Sequence, residues 1–343
     1  MTEKEFKFQN ALGLLDDDDF EWIAEETTSK YILSVLANSD CHEVLENVSR
    51  NSHTPKKALA TLAKARNSFI KYGISKNSNT SIKVLIYLSK DKAYDVRAGV
   101  ASNLNTPLYI VKRLSKDKDS SVRTNVAWNP NTPEDILIEL SDDISEYVRE
   151  GVAQNLNTPK KELIKLSKDV SDDVRQSVAK NPNTPKWLLE KLSKDKNWYV
   201  RAGAARNPNA PKWILIKSYK DKSSAVRTAV AFNTKTPEDI LTKLSNDEDW
   251  WVKKTVAENP NTPVWVLVNL SKDNAEMIKR GIAQNPNTPI RILTKLSKDK
   301  ISDVRMCVAE NPRAPKKVLT KLSKDKNRYV RYWAAENLKR NNK

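Results

Sequence analysis

Two cysteines, two histidines and six glycines in 343 residues leave several kinds of protein without raw material. Cys41 and Cys307 cannot build a disulfide framework or a cysteine-rich zinc site. His42 and His53 share one N-terminal stretch, so metal ligation and histidine-based acid–base catalysis have almost nothing to draw on. The shortage of glycine speaks against a β-rich fold full of tight turns. No window approaches 18 uninterrupted apolar residues, so no membrane span is expected. The opening MTEKEFKFQN lacks the apolar stretch of a secretory signal. These absences predict a cytoplasmic protein of bacterial style, monomeric, not an enzyme, with no cofactor, metal or small-molecule substrate.

Charge and proline are abundant. Sixty Lys and Arg against 43 Asp and Glu leave a net charge of +17, which invites a polyanionic partner. The 16 prolines fall into a pattern. Asn recurs every 26 residues from Asn51 to Asn337 without an insertion, and around it runs one unit, clearest as PKWLLEKLSKDKNWYVRAGAARNPNA at 185–210. With its Pro as position 1, twelve units begin at 29, 55, 81 and so on to 315. A period of this length means a solenoid of stacked supersecondary units.

Each unit reads as two helices. Thr precedes position 1 in ten units and Pro fills it in ten, which predicts a Thr N-cap with Pro at the first helical position. Acids follow in the first turn, as in Glu134 and Asp135. Apolar residues at positions 4, 5 and 8 (Leu188, Leu189, Leu192) give helix A one buried stripe, and positions 16, 20 and 21 (Val122, Val126, Ala127) do so for helix B. The Asn at position 23 suits the left-handed residue that ends a helix, and a Pro at position 24 stops it. Five of the six glycines occupy position 19, which predicts close packing against the backbone of the following unit; Cys307, at the same position, reads as a small buried residue. Residues 1–28 are expected to form capping helices, with Asp16 to Asp19 as helix caps, and residues 29–343 the repeat array. Unit 211–236, with Ser218 and Tyr219 where Leu and Ser are usual, marks a bend or a contact site.

The string LSKDK…VR..VA.NPNTP, from about residue 81 to 335, resembles the leucine-rich repeat variant family, a relative of HEAT-like helical repeats. The resemblance implies an all-α, right-handed superhelical solenoid in which one segment of each unit is either 3₁₀ or α. One type of member carries an iron–sulfur cluster on an N-terminal Cys group; this chain lacks those cysteines, so the cluster is not carried over. HEAT-like DNA glycosylases share the shape, and an acid such as Asp172 or Glu150 would be their catalytic counterpart, but no local motif matches.

Aligning the units assigns the charge by position. Position 17 is basic in eleven units and position 11 is Asp in ten, which predicts an Asp–Arg ladder tying the turn to helix B or to the neighbouring unit. Positions 7, 10 and 12 hold 23 basic residues against four acids, so the net charge concentrates in a ridge where helix A ends. Lys191, Lys194, Lys217, Lys220, Lys295 and Lys298 belong to it, with Trp187 and Trp213 interleaved. Basic residues among aromatics suit a DNA or RNA backbone, the second choice of partner; the plainer reading is a solvated face with Lys stems on Trp rings. Positions 14, 18 and 22 share one face of helix B and are close to neutral. Trp128, Trp198, Arg206, Phe232, Trp250 and Lys254 on this face have the composition of a protein-binding hot spot. Recognition of a protein or peptide along a concave helix-B face is the first choice of function.

Overall fold

The computed structural model describes residues 1–340. Among the described residues there are 26 α-helices and no strand. The chain divides into two compact units, Met1–Val174 and the stretch from Arg175 onward. Within each, the 26-residue repeat supplies a seven-residue helix A at positions 2–8 and a nine-residue helix B at positions 14–22, as in Lys186–Leu192 and Trp198–Arg206. Both are α-helical, so of the two forms left open for one segment the described residues adopt α. In helix A of repeat 185–210, Leu189 N donates to Pro185 O (3.0 Å) and Ser193 N to Leu189 O (2.8 Å), an α pattern with one tighter bond, Leu188 N to Pro185 O, at the entrance.

The apolar positions face inward as their spacing requires. In the first unit Ile110, Val111 and Leu114 of helix A are buried with Val122, Val126 and Ala127 of helix B. In the second, Ile240, Leu241 and Leu244 pack in one core with Val252, Val256 and Ala257. Burying each large side chain is worth about 1.5–3 kcal/mol, and a seven-residue helix has too few backbone bonds to persist without it. The first unit starts with Glu3–Ala11 and Asp17–Glu26. Asp16 accepts from Asp19 N (2.9 Å) while Asp19 accepts from Asp16 N (3.3 Å), so the acidic run is a reciprocal cap.

Three expectations about the repeat are corrected. The Asn at position 23 is not left-handed: Asn259 has φ −66° and ψ 124°, and no described non-glycine residue has positive φ. Proline at the next position favours extended backbone there, yet Asn77, followed by Ser78, adopts the same angles. The common cause is hydrogen bonding. Asn233 Nδ2 donates to Ala205 O (2.8 Å) and Asn207 O (3.0 Å) of the preceding repeat, and its Oδ1 accepts from Lys235 N (2.9 Å). The repeated Asn is therefore a rung of a buried amide ladder.

The Thr before position 1 caps no helix. Thr236 Oγ1 donates to Val230 O (2.6 Å), a carbonyl in the last turn of helix B that also accepts from Asn233 N (3.1 Å), and the helix-A cap of this repeat is Pro237, which makes no side-chain cap bond. Finally, the position-19 glycines pack against the preceding repeat, not the following one. A Cβ on Gly151 would lie 2.9 Å from Ala127 Cβ and 2.8 Å from Trp128 Cδ1; one on Gly281 would lie 3.0 Å from Lys254 O. Cys307 is buried at this position as expected, and burial pushes its thiol up to about 11.

Candidate functional site

The position-17 arginines are consumed by structure. Arg201 donates from Nε and Nη2 to Asp221 of the next repeat (2.7 and 2.8 Å) and from Nη1 to Asp195 O and Lys196 O of its own turn (2.9 and 3.1 Å). The same fork joins Arg97 to Asp117 and Arg123 to Asp143 in the first unit, and Arg227 to Asp247 and Arg305 to Asp325 in the second. Burial, the largest single effect, pushes the Asp221 carboxyl up. The hydrogen bonds from Arg201 and Ser223 N, together with the Arg201 charge, outweigh it and hold the group below the ordinary carboxylate range. The ladder that the sequence pattern predicts thus runs from each repeat to the next, and it leaves these arginines no role in gripping a phosphate.

The ridge lysines stand differently. Lys191, Lys217, Lys220, Lys295 and Lys298 are exposed, and none has a carboxylate within 4 Å among the described residues; Lys194 pairs with Glu190 (3.1 Å). Trp187 is 56% exposed and Trp213 37%, and Lys217 Nζ lies 5.3 Å from the Trp213 ring centroid. That contact realises the plainer reading of a Lys stem on a Trp ring at this one place.

In the second unit the helix-B face forms a groove of about 540 Å³ that runs from Gln176 to Glu258. Four of the six predicted face residues meet there: Trp198, Arg206, Phe232 and Lys254. Trp250 does not line the groove; its neighbour Trp251 does, with the two indoles edge to face at 5.2 Å. Trp128 lies in the first unit, half-exposed beside Gly151. Tyr199 and Trp251, both at position 15, are lining aromatics that sequence reasoning missed, and Gln176 and Lys180 are further lining residues it did not single out. Positions 15, 18 and 22 also share a helix face, at i, i+3 and i+7, so the pair of adjacent aromatics at 198–199 and again at 250–251 was the available signal.

Cations and rings are paired along the groove. Lys180 Nζ lies 5.3 Å from the Tyr199 ring, the Arg206 guanidinium 4.1 Å from the Phe232 ring, and Lys254 Nζ 4.7 Å from the Trp251 ring. Such pairs hold long side chains in place at partly exposed sites. The two acids that line the groove are engaged. Glu258 pairs with Lys254 at 2.7 Å, and Asp249 caps its helix by accepting from Trp251 N at 2.8 Å. A hydrogen bond with Ser224, opposed by burial and aided by backbone bonds, keeps the Asp249 carboxyl below its usual range. Arg206 has no carboxylate within 4 Å among the described residues. Neither Glu150 nor Asp172 lines the groove, and Glu150 accepts from Gln154 of its own helix (2.9 Å).

Solved structures with similar repeats include a leucine-rich repeat variant described by its novel repetitive structural motif. It is 23% identical over 65% of this chain and 88% of its own, with a TM-score of 0.43. A chain of the structure in which Kap95p binds RanGDP is 12% identical over 97% of this chain and 58% of that one, with a TM-score of 0.40. Importin beta, crystallised in ammonium sulfate, is 12% identical over 90% of this chain and 45% of its own, with a TM-score of 0.33. No family model and no curated protein sequence matches the chain. No described helix is long and apolar enough to cross a membrane.

Proposed function

We propose that the protein is a non-catalytic binding scaffold of the leucine-rich repeat variant type, and that its second unit receives a peptide segment of a partner protein in the helix-B groove. The observation that carries this reading is the convergence of Trp198, Tyr199, Phe232 and Trp251 with three ring-stacked cations in one groove on a rigid helical frame. Large aromatic and Arg side chains that are already held in place lose little entropy on binding, which is why they dominate protein interfaces. The test uses the full chain and pools of random eight-residue peptides, read by intrinsic tryptophan fluorescence. Trp198→Ala combined with Trp251→Ala should remove the binding while circular dichroism stays unchanged. Unaltered binding in that double variant would overturn the proposal.

A nucleic acid on the helix-A ridge is the second reading, favoured by the exposure of Lys191, Lys217, Lys220, Lys295 and Lys298 and by their having no carboxylate within 4 Å among the described residues. It requires affinity for a duplex that falls steeply with salt and collapses when Lys191, Lys217 and Lys220 become Glu. Salt-independent binding, or indifference to those changes, rejects it.

A further inference from the structure

The groove holds an unused polar group. Gln176, at position 18, lines it and is 5% exposed, yet its side-chain amide makes no hydrogen bond within the described residues. Its nitrogen and oxygen are also not sealed from solvent, since among the described residues Thr124 Oγ1, in the first unit, is the one fully buried side-chain polar atom without a partner. A primary amide offers two donors and an acceptor in one plane, the complement of a peptide group's C=O and N–H. Leaving such a group nearly buried and unpaired is unfavourable, so a ligand that satisfies both ends is recognised by its main chain.

The second feature is charge. Glu258 is matched by Lys254 and Asp249 by its cap and Ser224, whereas the exposed Arg206 is matched only by the Phe232 ring. Stacking on Phe232 holds the guanidinium without using its N–H groups, which remain for a planar acceptor, and a carboxylate accepts two of them at once. We infer that the groove takes an extended acidic peptide: its main chain on Gln176, a Glu or Asp side chain on Arg206, and an apolar side chain beside Trp198. This rests on the reading of the groove as a peptide site and adds the chemistry of the occupant.

A nucleic-acid strand fits the groove less well. One face of Tyr199, Phe232 and Trp251 is already covered by the protein's own cation, so bases lose the platforms on which they would stack. The helices B of the four successive repeats that border the groove are packed at about 10 Å spacing, and an extended chain of eight residues spans about 27 Å, so the lengths agree.

The test titrates the full chain with three fluorescein-labelled octapeptide pools that alternate apolar residues with Glu and Asp, with Gln and Asn, or with Lys and Arg. A single-stranded oligonucleotide and an N-methylated version of the acidic pool complete the set. The acidic pool is expected to bind about tenfold tighter than its amide counterpart. Arg206→Gln should abolish that preference, and Gln176→Leu should weaken both pools alike, with circular dichroism confirming the fold of each variant. N-methylation should weaken the acidic pool as Gln176→Leu does. Equal binding of the acidic and amide pools, or tighter binding of the basic pool, overturns the acidic partner while the groove stays a peptide site. Undiminished binding of the N-methylated pool overturns the role of Gln176. An oligonucleotide that outcompetes the acidic pool and is lost on Arg206→Gln replaces the peptide with nucleic acid. Failure of every pool overturns the peptide reading itself.

Discussion

Arg201 and Asp221, twenty residues apart in sequence, are joined by two parallel N–H···O bonds of 2.7 and 2.8 Å, with side chains only 9% and 14% exposed. The same spacing joins each Arg of the ladder to the next repeat, so the pair is the covalent period of the chain expressed as a contact. Truncating one partner of a pair this buried leaves the other charge desolvated and unmatched. Arg201→Ala should therefore cost about 2–4 kcal/mol, read from the urea midpoint. Arg201→Lys should cost less, since Lys279 still reaches Asp299 at 2.9 Å. A midpoint unmoved by Arg201→Ala would show the ladder to be ornamental.

Acid should dissolve the ladder. Asp117, Asp143, Asp195, Asp221 and Asp325 all have folded carboxyls below the ordinary range. A lowered folded pKa means that the stabilisation is fully present above the unfolded value, about 3.9, and is lost as pH falls through the folded value. Thermal midpoints should be flat from about pH 6 to 8 with respect to these groups and should drop below about pH 4. A midpoint that is unchanged at about pH 2.5 would contradict this assignment.

Gly151 should not tolerate alanine. Alanine gains up to about 1 kcal/mol of helix propensity over glycine, but the new methyl would sit 2.9 Å from Ala127 Cβ, an atom fixed to the backbone of the preceding repeat. Overpacking of this kind costs about 1–3 kcal/mol. The net change in a denaturant titration should be destabilising, and a stabilised Gly151→Ala would show that the repeats can slide apart freely.

Asn233→Ala tests the amide ladder. It removes the donor shared by Ala205 O and Asn207 O and the acceptor for Lys235 N. With unmet buried groups at about 1–3 kcal/mol each, a loss of about 2–4 kcal/mol is expected from the denaturation midpoint. Asn209, whose Nδ2 donates to Pro182 O (2.9 Å) from an exposed position, should lose much less on truncation. Equal losses at the two positions would contradict the distinction.

Much of this was legible in the residues. The period, the two helices, the buried stripes and the Arg–Asp pairing all follow from register, because a repeat that contacts its neighbour must repeat its contacts. What was not legible depended on direction. Thr236 and Asn233 carry side chains suited to capping or to αL turns, and only the neighbouring carbonyls show that they donate instead. Sequence spacing could not tell whether Gly151 faces the repeat before or after it. Trp250 and Trp251 sit 100° apart on one helix, and the rotation of that helix against its neighbours decides which of them lines the groove.

The central claim is that a partner sits on the second unit's helix-B groove rather than on the helix-A ridge. Fluorine NMR of 5-fluorotryptophan protein, assigned by single Trp→Phe variants and titrated with the acidic peptide pool, tests it most directly. The account predicts that the Trp198 and Trp251 resonances shift while Trp187 and Trp213 stay still. Movement of Trp187 and Trp213 with Trp198 and Trp251 unperturbed would contradict it.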